Sequence, residues 1–105
     1  MKEKSLLIKF LGDTPFTRII DFLIENKGFD FSKKEIAEGS GISGTSLFKY
    51  WDKLEKYGIV KKTRTYGKTK LYTLNSESEP VKKLLALELE LIRKETEEEI
   101  EIKVS

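Results

Sequence analysis

Between Lys49 and Lys70 the chain sets Lys49, Lys53, Lys56, Lys61, Lys62, Arg64, Lys68 and Lys70 against only Asp52 and Glu55. The chemistry such a run performs is neutralisation of a polyanion. Just upstream stand the short hydroxyls of Ser43, Thr45 and Ser46, which donate and accept hydrogen bonds at close range. Downstream the balance reverses, with Glu79, Glu88, Glu90, Glu95, Glu97, Glu98, Glu99 and Glu101 facing Lys82, Lys83, Arg93, Lys94 and Lys103. A net charge of +2 therefore hides a basic middle and an acidic tail. That segregation suits a chain offering one surface to a polyanion and keeping another away from it; the plain alternative is ordinary solvated faces.

Other chemistries are poorly provided for. The 105 residues include neither His nor Cys, so the commonest general base, the imidazole metal ligand, the thiolate and the disulfide are all absent. No Gly-rich phosphate cradle, paired acid and base, or nucleophile with its base stands at a recognisable spacing, so no enzyme activity and no cofactor are expected. A transition-metal effector is not expected either, because carboxylates and carbonyls suit hard ions. The length and a hydrophobic content of 38% predict a single domain over residues 1–105 with one modest core. No apolar run reaches membrane-span length, and the segment from Lys4 to Leu11 is too short and interrupted for a secretion signal, so a cytoplasmic protein without a membrane partner is expected. Charged residues at 36% with one Met would suit a heat-adapted protein.

The cations and hydroxyls need elements to position them. From Ser43 to Gly58 the sequence has helical period: Leu47, Trp51 and Leu54 share one face with Tyr50 beside them, while Thr45, Lys49, Asp52, Lys53 and Lys56 fall opposite. Ser43 is the predicted N-cap and Gly58 the left-handed residue after the last turn. Upstream, Ser32 and Glu35 form a capping-box pattern that opens a helix from Lys33 to about Glu38, and the Gly39-Ser40-Gly41 break supplies a tight turn. Two helices joined in this way make a helix-turn-helix, and with a basic β-rich stretch following, the order predicts that the second reads DNA. Thr14 and Pro15 start an earlier amphipathic helix that carries Phe16, Ile19, Ile20, Leu23 and Ile24 to about Lys27. Phe29-Asp30-Phe31 has extended character, and the run around Leu6 to Leu11 leans to a helix.

After Gly58 the period changes to two. Residues 59–66 and 70–74 read as strands rich in β-branched and aromatic side chains, joined through Gly67 and Lys68 into a hairpin with a cationic tip. A last helix spans about 79–102, with Val81, Leu84, Leu85, Leu89, Leu91 and Ile92 over a broad face; Leu85, Leu89 and Ile92 follow helix-seam spacing. Its end is open between helix and strand, since Ile100, Ile102 and Val104 alternate with charges.

The run Lys34-Glu35-Ile36-Ala37, then Gly41-Ile42-Ser43, Leu47 and Trp51-Asp52-Lys53-Leu54-Glu55-Lys56-Tyr57-Gly58-Ile59-Val60 resembles the winged helix-turn-helix of prokaryotic transcriptional regulators, of the MarR-like and ArsR-like kind. The resemblance covers Pro15 to Leu74. It implies an α+β, mostly α fold, with a winged helix-turn-helix at 15–74, an N-terminal segment and a long C-terminal dimerisation helix at 79–102. It also implies a sequence-specific double-stranded-DNA-binding regulator, with helix 43–57 in the major groove and wing 59–74 on the backbone or minor groove. The rival reading is a winged-helix protein-interaction module of a larger complex. Gly44 stands where such regulators often carry a basic or larger polar residue, and the metal ligands of metal-sensing relatives are missing.

Within that frame each candidate has a role. Thr45, Ser46 and Lys49 are placed to meet base edges, the N-cap Ser43 is a DNA-binding candidate beside them, and Lys53 is placed to meet phosphates or water. Arg64 and Lys68 are the wing contacts, while Ser32 and Lys33 could hold a phosphate at a helix N-terminus. Phe48, at the border of the core face, is expected to be partly buried, with a thymine methyl contact as the alternative. Val81, Leu84, Leu85, Leu89, Leu91 and Ile92 cover more of their helix than one packing surface needs, which predicts a homodimer and a palindromic operator. The alternative is a monomer in which the N-terminal Leu6, Leu7 and Phe10 cover the second stripe. Operator sequence, effector, and repression or activation are not encoded in any recognisable motif.

Overall fold

Local capping signals decide where the helices begin. The computed structural model describes residues 5–104, with side chains as far as Glu97. In chain order it contains α1 (Leu6–Leu11), α2 (Pro15–Glu25), α3 (Lys33–Ser40), α4 (Gly44–Lys56), β1 (Val60–Tyr66), β2 (Thr69–Leu74) and α5 (Glu79–Val104). Thr14 Oγ1 accepts from Thr17 N at 3.2 Å while Thr17 Oγ1 accepts from Thr14 N at 2.9 Å, with Pro15 next in line. Ser32 and Glu35 close a second reciprocal box, at 3.1 and 2.9 Å. Ser43 Oγ accepts from Ser46 N at 3.1 Å. Each such cap is worth about 1 kcal/mol, enough to fix the start of a short helix and too little to sustain it.

Packing supplies the rest. Ile19, Leu23 and Ile24 of α2, Ile36 and Ala37 of α3, and Leu47, Trp51 and Leu54 of α4 form one hydrophobic cluster, joined by Leu7, Val60, Tyr72, Leu74 and Val81. Ile36 and Ala37, the clear apolar residues of α3, are both buried, and this holds that short helix in place. Trp51 meets Tyr72 edge-on at 4.7 Å between ring centroids, coupling α4 to the wing. Such aromatic pairs add about 0.5–1.5 kcal/mol beyond area burial.

The hinge between α3 and α4 departs from expectation. Gly39 and Ser40 belong to α3, and only Gly41 leaves the helix, at φ 69°, where Ile42 N then bonds Ala37 O at 3.0 Å. Gly39 serves contact instead of turning: a methyl built there would overlap the Phe22 ring of α2. A Gly-rich stretch suggested flexible backbone, whereas close approach of two helices is what this glycine permits.

β1 and β2 pair antiparallel from Val60↔Leu74 to Tyr66↔Thr69, with a bulge between Lys62 and Arg64 that leaves Thr63 as the extra residue. The tip is the two-residue loop Gly67-Lys68. The extended segment before α3 joins through one antiparallel bridge, Phe31 to Tyr72, with both backbone bonds at 2.8 Å.

α5 is helical through Val104, so the alternating Ile100, Ile102 and Val104 do not turn into a strand, although their side chains lie outside the described residues. At 26 residues it is about 39 Å long and projects past the remaining elements. The extents of 59 × 29 × 21 Å and a radius of gyration of 15.5 Å, against about 13 Å for a rounded domain of this length, reflect that projection. Among the described residues no helix is long and apolar enough to cross a membrane. Met1 to Lys4 lie outside the described residues.

Candidate nucleic-acid interface

The cations of α3 and of the wing converge although 34 to 37 positions separate them in sequence. Ser32, Lys33 and Lys34 at the start of α3 share a cleft of ≈ 430 Å³ with Lys68, Thr69, Lys70 and Tyr72 of the hairpin. The Phe31–Tyr72 bridge brings them together by fastening the chain just before α3 to β2. Lys33 Nζ sits 4.7 Å from the Trp51 ring centroid and 5.8 Å from that of Tyr72, so the aromatic pair under the cleft also orients its cation.

A second, apolar groove continues from that cleft along the start of α4. Lys33, Lys34 and Glu38 line it, with Ala37, Ile42, Gly44, Leu47, Phe48 and Trp51, in a volume of ≈ 360 Å³. Together the two depressions make one surface, cationic towards the wing tip and apolar towards α4. Thr45, Phe48 and Lys49 stand exposed along it on the outer side of α4.

Phe48 corrects the sequence reading. It was expected to be partly buried, yet 80% of it is exposed. Leu47 and Trp51 already fill the side of α4 that meets the core, and a residue one step round from Leu47 is turned about 100° away.

The hydroxyls are engaged locally. Ser32 Oγ accepts from Glu35 N, and Ser43 Oγ accepts from Ser46 N while donating to Ser46 Oγ at 3.2 Å. Both serine caps thus hold helix N-termini in position, while Thr45 projects from the surface.

Two of the expected cationic contacts, Lys53 and Arg64, fall outside the shared surface. Lys53 turns towards α2, with Nζ 4.3 Å from the Phe16 ring centroid. Arg64 lies across the hairpin from the cleft and is gripped by Asp30, with Nε to Oδ2 at 2.9 Å and Nη2 to Oδ1 at 3.3 Å. Thr63 donates to the same carboxylate at 2.6 Å. Those hydrogen bonds from Arg64 and Thr63 pull the Asp30 pKa below its ordinary value, and Asp30 in turn raises that of Arg64. Sequence reasoning gave Asp30 no role, because its partners lie 33 and 34 residues away and only the fold brings them within reach.

The α5 residues divide. Val81 is fully buried in the chain's own core and is taken from any surface, while Leu84, Leu85 and Leu91 pack partly against that core. Leu89 and Ile92 remain 67% and 45% exposed. α1 lies alongside α5, with Leu6, Lys9 and Phe10 sharing a shallow cleft with Leu91, Lys94 and Glu95. The N-terminal helix therefore covers part of the broad apolar face and leaves the Leu89–Ile92 strip open. Among the described residues no cluster of three or more His, Cys, Asp or Glu is arranged to hold a metal ion.

The fold is shared with known proteins. The chain is similar to Lactococcus lactis ZitR in complex with DNA, at 23% identity and a TM-score of 0.53, over 77% of this chain and 57% of that one. It is also similar to Sso10a-2, a DNA-binding protein from Sulfolobus solfataricus, at 25% identity and 0.51, over 83% and 88%. A third likeness is to the transcriptional repressor CouR bound to a 23-mer DNA duplex, at 22% identity and 0.57, over 90% and 65%. These likenesses establish a winged helix-turn-helix fold, mostly helical with a two-stranded sheet and a long C-terminal helix. The chain spans 57% of the length of ZitR. No protein-family model and no curated protein matches the sequence.

Proposed function

We propose that this chain is a sequence-specific double-stranded-DNA-binding transcriptional regulator, with α4 in the major groove and the Gly67-Lys68 tip on the backbone or in the minor groove. The observation that carries the reading is the cleft in which Lys33 and Lys34 meet Lys68 and Lys70, adjoining through Lys33 and Lys34 the groove that holds Phe48 of α4, on a helix where Thr45 and Lys49 are also exposed. Phosphate neutralisation by the cleft supplies affinity, and side chains on α4 supply sequence preference. ZitR and CouR, whose solved structures contain DNA, support the reading, as does the sequence resemblance to MarR-like and ArsR-like regulators. Lys53 and Arg64, held by Phe16 and Asp30, are secondary contacts in this arrangement.

The same reading makes the chain a homodimer through the Leu89–Ile92 strip of the projecting α5, continued onto Leu85. A two-fold axis there would set two α4 helices about 34 Å apart, one DNA turn, on a palindromic operator.

The test is fluorescence anisotropy of labelled duplexes across a range of salt concentrations. Binding whose log affinity falls linearly with log salt, together with enrichment of a discrete sequence from random duplexes, is expected. Absence of salt-dependent duplex binding would overturn the reading and favour a protein-interaction module.

A further inference from the structure

Phe48 is a large aromatic side chain left 80% exposed on the helix that the proposed function sets in the major groove. The apolar groove it borders is lined by Ala37, Ile42 and Leu47, with the charged Lys33, Lys34 and Glu38 also in its lining. The chain thus presents an apolar strip whose charged edge holds two cations and one carboxylate. In the major groove one base carries the complementary arrangement: thymine projects its C5-methyl group into the groove, flanked by the phosphates of its own strand. Adenine, guanine and cytosine carry no methyl group there and present hydrogen-bond donors or acceptors with which an aromatic ring makes no good pair.

We propose that Phe48, with the groove beside it, reads thymine C5-methyl groups, so that the preferred duplex carries thymine opposite the first turns of α4. The inference rests on the proposed function and deepens it by naming the feature that is read. Lys33 and Lys34 draw the backbone to the rim, and Phe48 then excludes water from the methyl as both surfaces are buried. Thr45, one turn earlier on α4, contributes a further methyl group to the same strip.

The experiment uses the full chain and the duplex enriched from a random library. Each thymine is replaced singly by deoxyuridine, a change that removes the C5-methyl group and nothing else. For the wild type, affinity is expected to fall about three- to tenfold at one or two thymines, the scale of one buried methyl and its contacts. In Phe48→Ser that sensitivity disappears, and in Phe48→Leu, which keeps an apolar contact, it is largely retained. Because Phe48 lies outside the core, both variants should melt with the wild type, which circular dichroism checks.

The other outcomes each overturn the proposal. Full affinity for every deoxyuridine duplex, with salt-dependent binding intact, removes methyl reading and leaves the proposed function standing. An enriched sequence without thymine does the same. Sensitivity unchanged in Phe48→Ser assigns the methyl to another residue. A change of mass in solution on Phe48→Ser, without a change in thymine sensitivity, makes this face a contact between copies. Failure of any duplex to bind removes both readings together.

Discussion

Asp30 grips Arg64 across 34 residues of sequence, Nε to Oδ2 at 2.9 Å and Nη2 to Oδ1 at 3.3 Å. Thr63, the bulged residue of β1, donates to the same carboxylate. The loop before α3 thereby holds the outer face of the wing, while Phe31 pairs with Tyr72 and Thr73 Oγ1 donates to Phe29 O at 2.7 Å. The body of the hairpin is thus fastened at several points to the segment before α3.

The acid limit of this tether follows from the direction of the Asp30 shift. Hydrogen bonds from Arg64, then Thr63, lower its pKa, so the folded state binds fewer protons here than the unfolded chain. The stabilisation is complete above the ordinary aspartate value and is lost as pH falls through the lowered one. Carboxyl carbon NMR should show Asp30 titrating below ordinary aspartates, and Arg64→Gln should move it back up. An Asp30 midpoint at or above the ordinary value would contradict the tether.

Lys68 and Arg64 carry the same charge but should contribute unequally to DNA affinity. Lys68→Gln removes a cation from the cleft and should flatten the log–log salt slope by about 0.9, the loss of one phosphate contact. Arg64→Gln should change it much less, because Asp30 already neutralises that guanidinium. Asp30→Asn should steepen the slope while the Phe31–Tyr72 bridge keeps the wing attached. Titrations of the three variants decide it, and equal effects of Lys68→Gln and Arg64→Gln would contradict the assignment.

Gly39→Ala offers a test in which helix propensity and packing point in opposite directions. Propensity favours alanine in a helix by about 1 kcal/mol. Here the added methyl would overlap the Phe22 ring, which itself packs on Phe31 at 5.0 Å between centroids. Overpacking of this kind costs about 1–3 kcal/mol, so the variant should be less stable than the wild type by up to about 2 kcal/mol. Urea denaturation measures it, and a more stable variant would show that Phe22 moves aside freely.

Leu89→Glu should separate association from folding. Leu89 is mostly exposed and Val81 fully buried, so charge at Leu89 disturbs a surface and not the core. Light scattering should give a dimer for the wild type and single-chain mass for Leu89→Glu and Ile92→Glu, with melting of the winged-helix part preserved. Single-chain mass for the wild type at micromolar concentration would end the dimer proposal and leave the Leu89–Ile92 strip facing solvent.

Much of this fold is legible in the sequence because its signals are local. Caps at Thr14, Ser32 and Ser43 act within three residues, the helical spacing of Leu47, Trp51 and Leu54 spans two turns, and the hairpin turns within two residues at Gly67-Lys68. Each is a short-range steric or hydrogen-bonding preference that survives without knowledge of distant neighbours. The basic middle is likewise a property of composition along the chain and contains Lys68, while the capping box at Ser32 marks Lys33 at a helix N-terminus; neither signal contains their convergence.

What tertiary structure alone decided involves residues far apart in sequence. Periodicity left Phe48 on the border between two faces, and the core, already filled by Leu47 and Trp51, turned it outwards. Gly39 looked like a turn until Phe22 was found packed against it. Val81 and Leu89 share one apolar pattern, yet the body of the chain buries the first and ends before it reaches the second. Asp30 was silent because its partners come from the wing. In each case the deciding quantity is which surface another element occupies, a contact between distant segments that neither propensity nor charge pattern along the chain contains.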